Sequence, residues 1–171
     1  TYDQLWELSG RVASRLANSK IGPECVVGLA LPKSPELIAA IIGCWRARAA
    51  YVPLDLNLPA DRLQKMAEDA EVSLIISGQD DYASRLAGGQ EIVEWSECSE
   101  SESVELNRTA QPHDLAWVMF TSGTTGRPRG VQVEHRGFLN VLDAQRAAFR
   151  IEEASRVLLL YSTSFDASLS D

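Results

Sequence analysis

Apolar residues recur along this chain with two different periods, and their alternation predicts helices separated by short strands. Leu5, Leu8, Val12 and Leu16 stand at helical spacing behind Thr1 and Gln4, which form a capping-box pattern. That helix is expected to stop near Lys20-Ile21-Gly22, where a cation precedes a terminal glycine. Residues 26–31 are a short apolar run closed by Pro32, which reads as a strand. Ser34-Pro35-Glu36 then sets a cap, a first-turn proline and a first-turn carboxylate in order, ahead of a helix carrying Leu37, Ile38, Ile41, Ile42 and Trp45. A strand over 50–54 follows, limited by Pro53, which cannot donate to a ladder. The cycle repeats with a helix over 59–70, its Leu63, Met66, Ala67 and Ala70 turned inward, and a strand over 72–77.

Residues 97–112 are rich in Ser and Glu, with little to bury, and are expected to form an exposed connector. They divide a first half, 1–96, from a second, 113–171. The second half is expected to hold a strand over 115–120, a glycine-rich loop, the start of a strand at Val131-Gln132-Val133, a helix over 137–150 and a strand over 157–161. Strands alternating with helices of this length predict an α/β fold, layered, with a mostly parallel sheet or sheets and helices on the faces. Ligands of such sheets sit beyond the carboxyl ends of the strands, where the glycine-rich loop falls. No internal repeat is visible.

Composition narrows the class of partner. At 171 residues the chain is the size of one domain, and 45% hydrophobic with 23% charged residues is ordinary for a globular protein. A net charge of −8 argues against nucleic acid and against an anionic membrane surface. No apolar run approaches the ~20 residues of a membrane span, and no signal peptide opens the chain. Cys25, Cys44 and Cys98 are widely spaced, match no metal-ligand pattern and fit thiols in a reducing compartment, with the cytosol as the default. The chain has no initiator Met and stops without a cap or tail, so it is expected to be a fragment.

The candidate chemistry is concentrated in the loop. Thr121, Ser122, Thr124 and Thr125 supply hydroxyls, Gly123, Gly126 and Gly130 let the backbone approach a ligand, and Arg127 and Arg129 add charge. Several N–H groups in such a turn can point at one anion. The same composition also makes flexible linkers. Against that stand the tight β-branched and aromatic flanks and the restraint of Pro128. It is not the common phosphate loop, because Gly126 is followed by Arg127-Pro128 where G-x-x-x-x-G-K-[ST] needs Lys and a hydroxyl residue.

The stretch 115–131 resembles the phosphate-binding motif of the adenylate-forming enzymes, which include acyl-CoA synthetases, luciferases and adenylation domains of nonribosomal peptide synthetases. Glu134-His135-Arg136-Gly137 with Leu139-Asn140 resembles the segment that follows it in the peptide-synthetase domains. Ala49-Ala50-Tyr51-Val52-Pro53-Leu54-Asp55 is similar to an upstream structural motif, Thr1-Tyr2-Asp3-Gln4-Leu5 to one near their start, and Phe165-Asp166-Ala167-Ser168 to the pocket motif of amino-acid-activating members. The resemblance covers the whole chain, which in turn covers the early portion of a complete adenylation domain.

The resemblance implies ATP-dependent formation of an aminoacyl adenylate with release of pyrophosphate, then capture of the acyl group by phosphopantetheine on a carrier domain. The implied partners are the amino acid, the carrier domain and a condensation domain of the same assembly line. Thr121, Ser122, Gly123, Thr124, Thr125, Gly126 and Arg129 would grip the ATP phosphates, accompanied by Mg²⁺. Arg129 departs from the family's usual lysine; it keeps the charge but is larger and planar. Asp166 would pair with the substrate α-ammonium, with Ala167 and Ser170 lining the pocket. The family's catalytic lysine and its carboxylate for Mg²⁺ are expected beyond residue 171, so the fragment alone is expected to be inactive.

Structural readings compete at several of these positions. An Asp after Phe165 is commonly a turn or capping residue. His135 at a helix start is commonly a structural hydrogen-bonding group, and His113 a solvated one. Glu94, Glu97, Glu100, Glu102 and Glu105 suggest a cation site but fit a solvated face. Trp45 and Trp117 are expected to fill core. The rival functions are an acyl-CoA or aryl-acid ligase of the same superfamily, which would have no use for Asp166, and a non-catalytic nucleotide-binding module.

Overall fold

The computed structural model describes residues 1–78, 89–104, 106, 109–121 and 129–158. Two well-capped helices start the chain. In α1 (Tyr2–Asn18) Thr1 and Gln4 close the expected capping box. In α2 (Pro35–Arg46) the Ser34 hydroxyl accepts from the Leu37 amide at 3.4 Å, and Pro35 occupies the first turn, where its missing N–H costs nothing. Between and after them come β1 (Val26–Ala30), β2 (Ala50–Pro53), α3 (Ala60–Asp69) and β3 (Val72–Ser77). Then follow β4 (Glu91–Glu94), α4 (Trp95–Glu100), β5 (Leu115–Thr121), β6 (Arg129–Glu134) and α5 (His135–Phe149).

The strands form one six-stranded sheet in the order β4-β3-β1-β2-β5-β6. All neighbours are parallel except β5 and β6, which make an antiparallel pair. The α/β class with a mostly parallel sheet is therefore as expected, and its last hairpin is the exception. Every residue of β1 and β2 is buried, because helices cover both faces. One apolar layer joins the sheet to α1 and α2 through Val12, Leu16, Leu37, Leu29, Leu74 and Tyr51. The other packs Leu63, Met66 and Ala67 of α3 on Val26, Val52 and Ile75. Strand β5 feeds both layers, and its alternation slips by one residue at Ala116 and Trp117. The pairing with β6 shifts register at the same place.

Three details differ from the sequence reading. Helix α1 ends at Asn18, and Lys20, not a glycine, takes the left-handed position at φ 61°. The amides of Lys20 and Ile21 return to the carbonyls of Ala17 and Leu16, which completes a Schellman closure without glycine. Within the stretch expected to be an exposed connector, Cys98 is fully buried on α4, which packs against α1, and the Val104 amide donates to Ser14 Oγ at 2.8 Å. Finally, Val157 and Leu158 are exposed and outside regular structure, and 159–161 of the expected strand lie outside the described residues. Among the described residues no helix is long and apolar enough to cross a membrane.

Candidate nucleotide site

Strand β5 runs parallel to β2, so its last residue, Thr121, lies at the carboxyl edge of the sheet, where ligands of such folds are held. Thr121 pairs with Arg129, the first residue of β6, and the Thr121 hydroxyl donates to the Arg129 carbonyl at 3.5 Å. Both side chains are exposed. A hydroxyl and a guanidinium thus stand side by side at the mouth of the loop, a donor set suited to an anion. Behind them Gly130 lies opposite Phe120. A Cβ there would come to 3.2 Å from Val118 Cγ1 and 3.4 Å from the Phe120 ring, so the missing side chain lets the strand settle over those residues.

Of the other expected phosphate-binding residues, Ser122, Gly123, Thr124, Thr125 and Gly126 lie outside the described residues, as do Asp166, Ala167 and Ser170. The structure therefore brings together Thr121 and Arg129 from the expected set.

The base of the same hairpin carries an assembly that no local sequence pattern announces. Arg48, at φ 62° just past α2, reaches Asp114 with both arms of its guanidinium: Nε donates to Oδ2 and Nη2 to Oδ1, each at 2.9 Å. The Gln111 amide also donates to Asp114 Oδ2 at 2.8 Å, and the His135 amide to the Asp114 carbonyl at 3.1 Å. The Arg48 guanidinium holds the Asp114 carboxyl below its usual range, while burial opposes this. Next to it, Trp45 Nε1 donates to the Ala116 carbonyl at 2.9 Å. Its ring meets those of His135, Phe138 and Tyr51 at centroid separations of 5.6, 5.4 and 6.0 Å. Trp45 is half-buried and Trp117 buried, both packed on Phe138.

His135 belongs to this base. Burial lowers its pKa, with Asp114 opposing, and its Nε2 has no hydrogen-bond partner among the described residues. The length of β5, about 20 Å, separates it from Thr121, so it does not join the loop chemistry. His113 is exposed, 3.4 Å from Glu134 Oε2. Of the acidic run, Glu97 accepts from the Glu94 amide at 3.1 Å and pairs with Arg15 at 3.3 Å. Among the described residues no cluster of three His, Cys, Asp or Glu is arranged to hold a metal.

Comparison with known proteins agrees with this architecture. A family model described as AMP-binding enzyme matches residues 1–171. A dimodular nonribosomal peptide synthase of Bacillus subtilis is 38% identical over 98% of this chain, which corresponds to 7% of that protein. The nonribosomal peptide synthetase FmoA3, solved as its S1046A variant in an α-methyl-L-serine-AMP bound form, superposes with a TM-score of 0.88 at 30% identity. That match covers 99% of this chain and 19% of the solved one. The N-terminal subdomain of Klebsiella oxytoca NpsA, in complex with 3-hydroxybenzoyl-AMSN, gives 0.87 at 25% identity, over 99% of this chain and 43% of that one. The chain thus spans a small part of the synthetases it matches.

Proposed function

The chain belongs to the AMP-binding enzyme family, and on that premise we propose that it is the phosphate-gripping portion of an amino-acid-activating adenylation domain. The observation that carries this reading is the pairing of exposed Thr121 and Arg129 at the carboxyl edge of a parallel sheet, at the mouth of a hydroxyl- and glycine-rich loop. In the reaction a substrate carboxylate oxygen attacks the α-phosphorus of ATP. The bond to the bridging oxygen breaks, pyrophosphate leaves, and an aminoacyl adenylate remains. A carrier-bound phosphopantetheine thiol then displaces AMP to give a thioester.

The contribution of these residues is positioning and charge neutralisation. Thr121, Ser122, Gly123, Thr124, Thr125 and Gly126 would offer hydroxyl and backbone donors to the β- and γ-phosphates, with Arg129 supplying fixed positive charge. Mg²⁺ would add further charge neutralisation at the phosphates. Asp166 would pair with the substrate α-ammonium, beside Ala167 and Ser170. Relatives that are peptide synthetases, one of them holding an amino-acyl adenylate, support the reading.

A second reading, an aryl-acid ligase, is favoured by the likeness to NpsA with its benzoyl ligand. The two part at Asp166. In the complete protein that contains this chain, Asp166→Ala is expected to abolish amino-acid-dependent ATP–pyrophosphate exchange, since breaking such a buried pair costs about 3–5 kcal/mol. Unchanged exchange in that variant refutes the amino-acid assignment; exchange with aryl acids but no amino acid establishes the alternative.

A further inference from the structure

The β5–β6 hairpin that carries Thr121 and Arg129 is joined to the parallel sheet over a short stretch. Strand β2 meets β5 in register at Tyr51 and Trp117, whereas β6 follows β5 from Leu115 to Thr121. Beyond that junction β2 ends at Pro53, which has no N–H to offer a ladder. Toward the loop, β5 is seated by buried Val118 and Met119, and apolar contacts have no direction. They set how deep the strand lies but not its tilt. The outer strand β6 is exposed from Arg129 to Gln132. Directional bonds gather at the base instead. Asp114 receives both arms of Arg48 at 2.9 Å, and its carbonyl accepts the His135 amide at 3.1 Å, directly after β6. The Arg136 amide donates to the Pro112 carbonyl at 2.9 Å. Asp114 thus ties the end of α2 both to the entry of β5 and to the exit of β6. Arg48 itself stands at φ 62° in the turn that closes α2, its amide donating to the Trp45 carbonyl at 3.0 Å. Glycine would hold that turn without backbone strain, but a guanidinium makes two bonds in one plane, which fix angle as well as distance.

We infer that Arg48 and Asp114 are positioning residues for the nucleotide: their two-armed pair sets the tilt of the hairpin, and hence the place of Thr121 and Arg129. Neither touches the phosphates. The lever is long. From Asp114 to Thr121 is about 20 Å of extended chain, so a tilt of about 5° at the base moves the tip by about 2 Å. A hydrogen-bond donor tolerates a few tenths of an ångström around its best distance, and a misplacement of about 1 Å can cost about 100-fold in rate. The inference rests on the reading of this hairpin as the grip on ATP, and adds to it the residues that aim the grip.

The test uses the complete protein that contains this chain, with Arg48→Gly and Arg48→Lys. Arg48→Gly removes the pair while relieving the left-handed turn, and Arg48→Lys keeps the charge without the fork. In steady-state ATP–pyrophosphate exchange, run well below the melting temperature of each variant, the KM for ATP is expected to rise about tenfold in both. The kcat and the KM for the acid are expected to stay within about twofold of the parent. A pair that only stabilised the fold would leave all of these constants at parental values, because every molecule is folded in the assay. An unchanged KM for ATP, equal losses toward both substrates, or parental behaviour of Arg48→Lys overturns the inference. Amide hydrogen exchange is the second readout: 129–134 is expected to exchange about tenfold faster in either variant while β1 and β3 keep parental rates. Unchanged or uniformly raised amide exchange also overturns the inference. Arg48→Lys carries both readouts should Arg48→Gly not fold. An unsubstituted protein that supports no ATP–pyrophosphate exchange with amino or aryl acids sinks the proposed function, and faster amide exchange confined to the hairpin then still upholds the positioning role.

Discussion

Helices α1 and α2 cross at Gly43, and the contact sets up an opposition of two terms with known sizes. A Cβ on Gly43 would lie 2.6 Å from both Cβ and Cγ1 of Val12 and 3.0 Å from the Ser9 carbonyl oxygen. Favourable carbon contacts lie at about 3.5–4.0 Å, so the helices would have to part by about 1 Å. Overpacking of this kind costs about 1–3 kcal/mol, or more where backbone must move. Helix propensity works the other way, favouring alanine over glycine by about 1 kcal/mol. The clash is expected to win, because Val12 Cβ and the Ser9 carbonyl belong to the helix itself and cannot rotate away. Val12→Ala should not rescue it, since that Cβ remains. Gly43→Ala is therefore expected to lose about 1–2 kcal/mol, a drop of about 0.5–1 M in urea midpoint at an m-value near 2 kcal/mol/M. Gly10→Ala is the control. Its Cβ would meet Ser103 Oγ and, at 3.2 Å, the Arg46 guanidinium. The Ser103 hydroxyl can rotate aside, and the guanidinium, though bonded to Ser9 Oγ and stacked on Trp6, sits on a flexible stem, so that variant should cost less than Gly43→Ala. A Gly43→Ala midpoint at or above the parent's, read by circular dichroism, would refute the reasoning.

Asp114→Asn places an amide N–H₂ against donors and should lower the urea midpoint at neutral pH. The native Asp114 carboxyl titrates below its ordinary value of 3.8, so its stabilisation is complete above that value and is lost as pH falls through the native pKa. The gap between parent and variant is expected to close on acidification; a pH-independent gap would contradict the ion-pair account. Among the cysteines, Cys25 is half-buried while Cys44 and Cys98 are buried. Burial raises the Cys44 thiol and pushes Cys98 up to about 12. Native labelling at pH 8 should therefore modify Cys25 alone, with the other two reacting only in denaturant.

Helix starts were legible because their signals are local: Thr1 with Gln4, and Ser34 with Pro35, lie within one turn of the groups they cap. The end of α1 was legible to within two residues but its closure was not, because Lys20 occupies a left-handed position that sequence grammar assigns to glycine. Its cost, about 1–2 kcal/mol, is offset by the Schellman bonds and by burial of Ile21. Helix α4 was hidden by its composition, since a single buried residue, Cys98, anchors a Ser- and Glu-rich turn. The signal was available in the reciprocal capping of Glu94 and Glu97. The antiparallel turn of β6 was likewise readable: 122–128 is shorter than the dozen or so residues a parallel crossover needs.

The two ends of the β5–β6 hairpin explain why half of the candidate site could be read and half could not. At the loop end, the residues that would touch a phosphate are contiguous in sequence, and their composition declares them. A group that must meet a ligand has to keep its donors exposed, and the side chains of Thr121 and Arg129 are both exposed, joined by a long hydrogen bond from the Thr121 hydroxyl to the Arg129 carbonyl. At the base, the bidentate Arg48–Asp114 pair, the Trp45 bond to the Ala116 carbonyl and the His135 amide bond to Asp114 lock β5 to the end of α2 and the start of α5. Arg48 and Asp114 are 66 positions apart, and no periodicity or motif joins them. The locking contacts and the proposed ligand contacts thus fall at opposite ends of one strand, with the locking contacts at the end away from the loop. That division has a direct consequence for interpreting variants. Substitutions at Arg48 or Asp114 should change how firmly the hairpin is held, whereas those at Thr121 or Arg129 should change what it can hold.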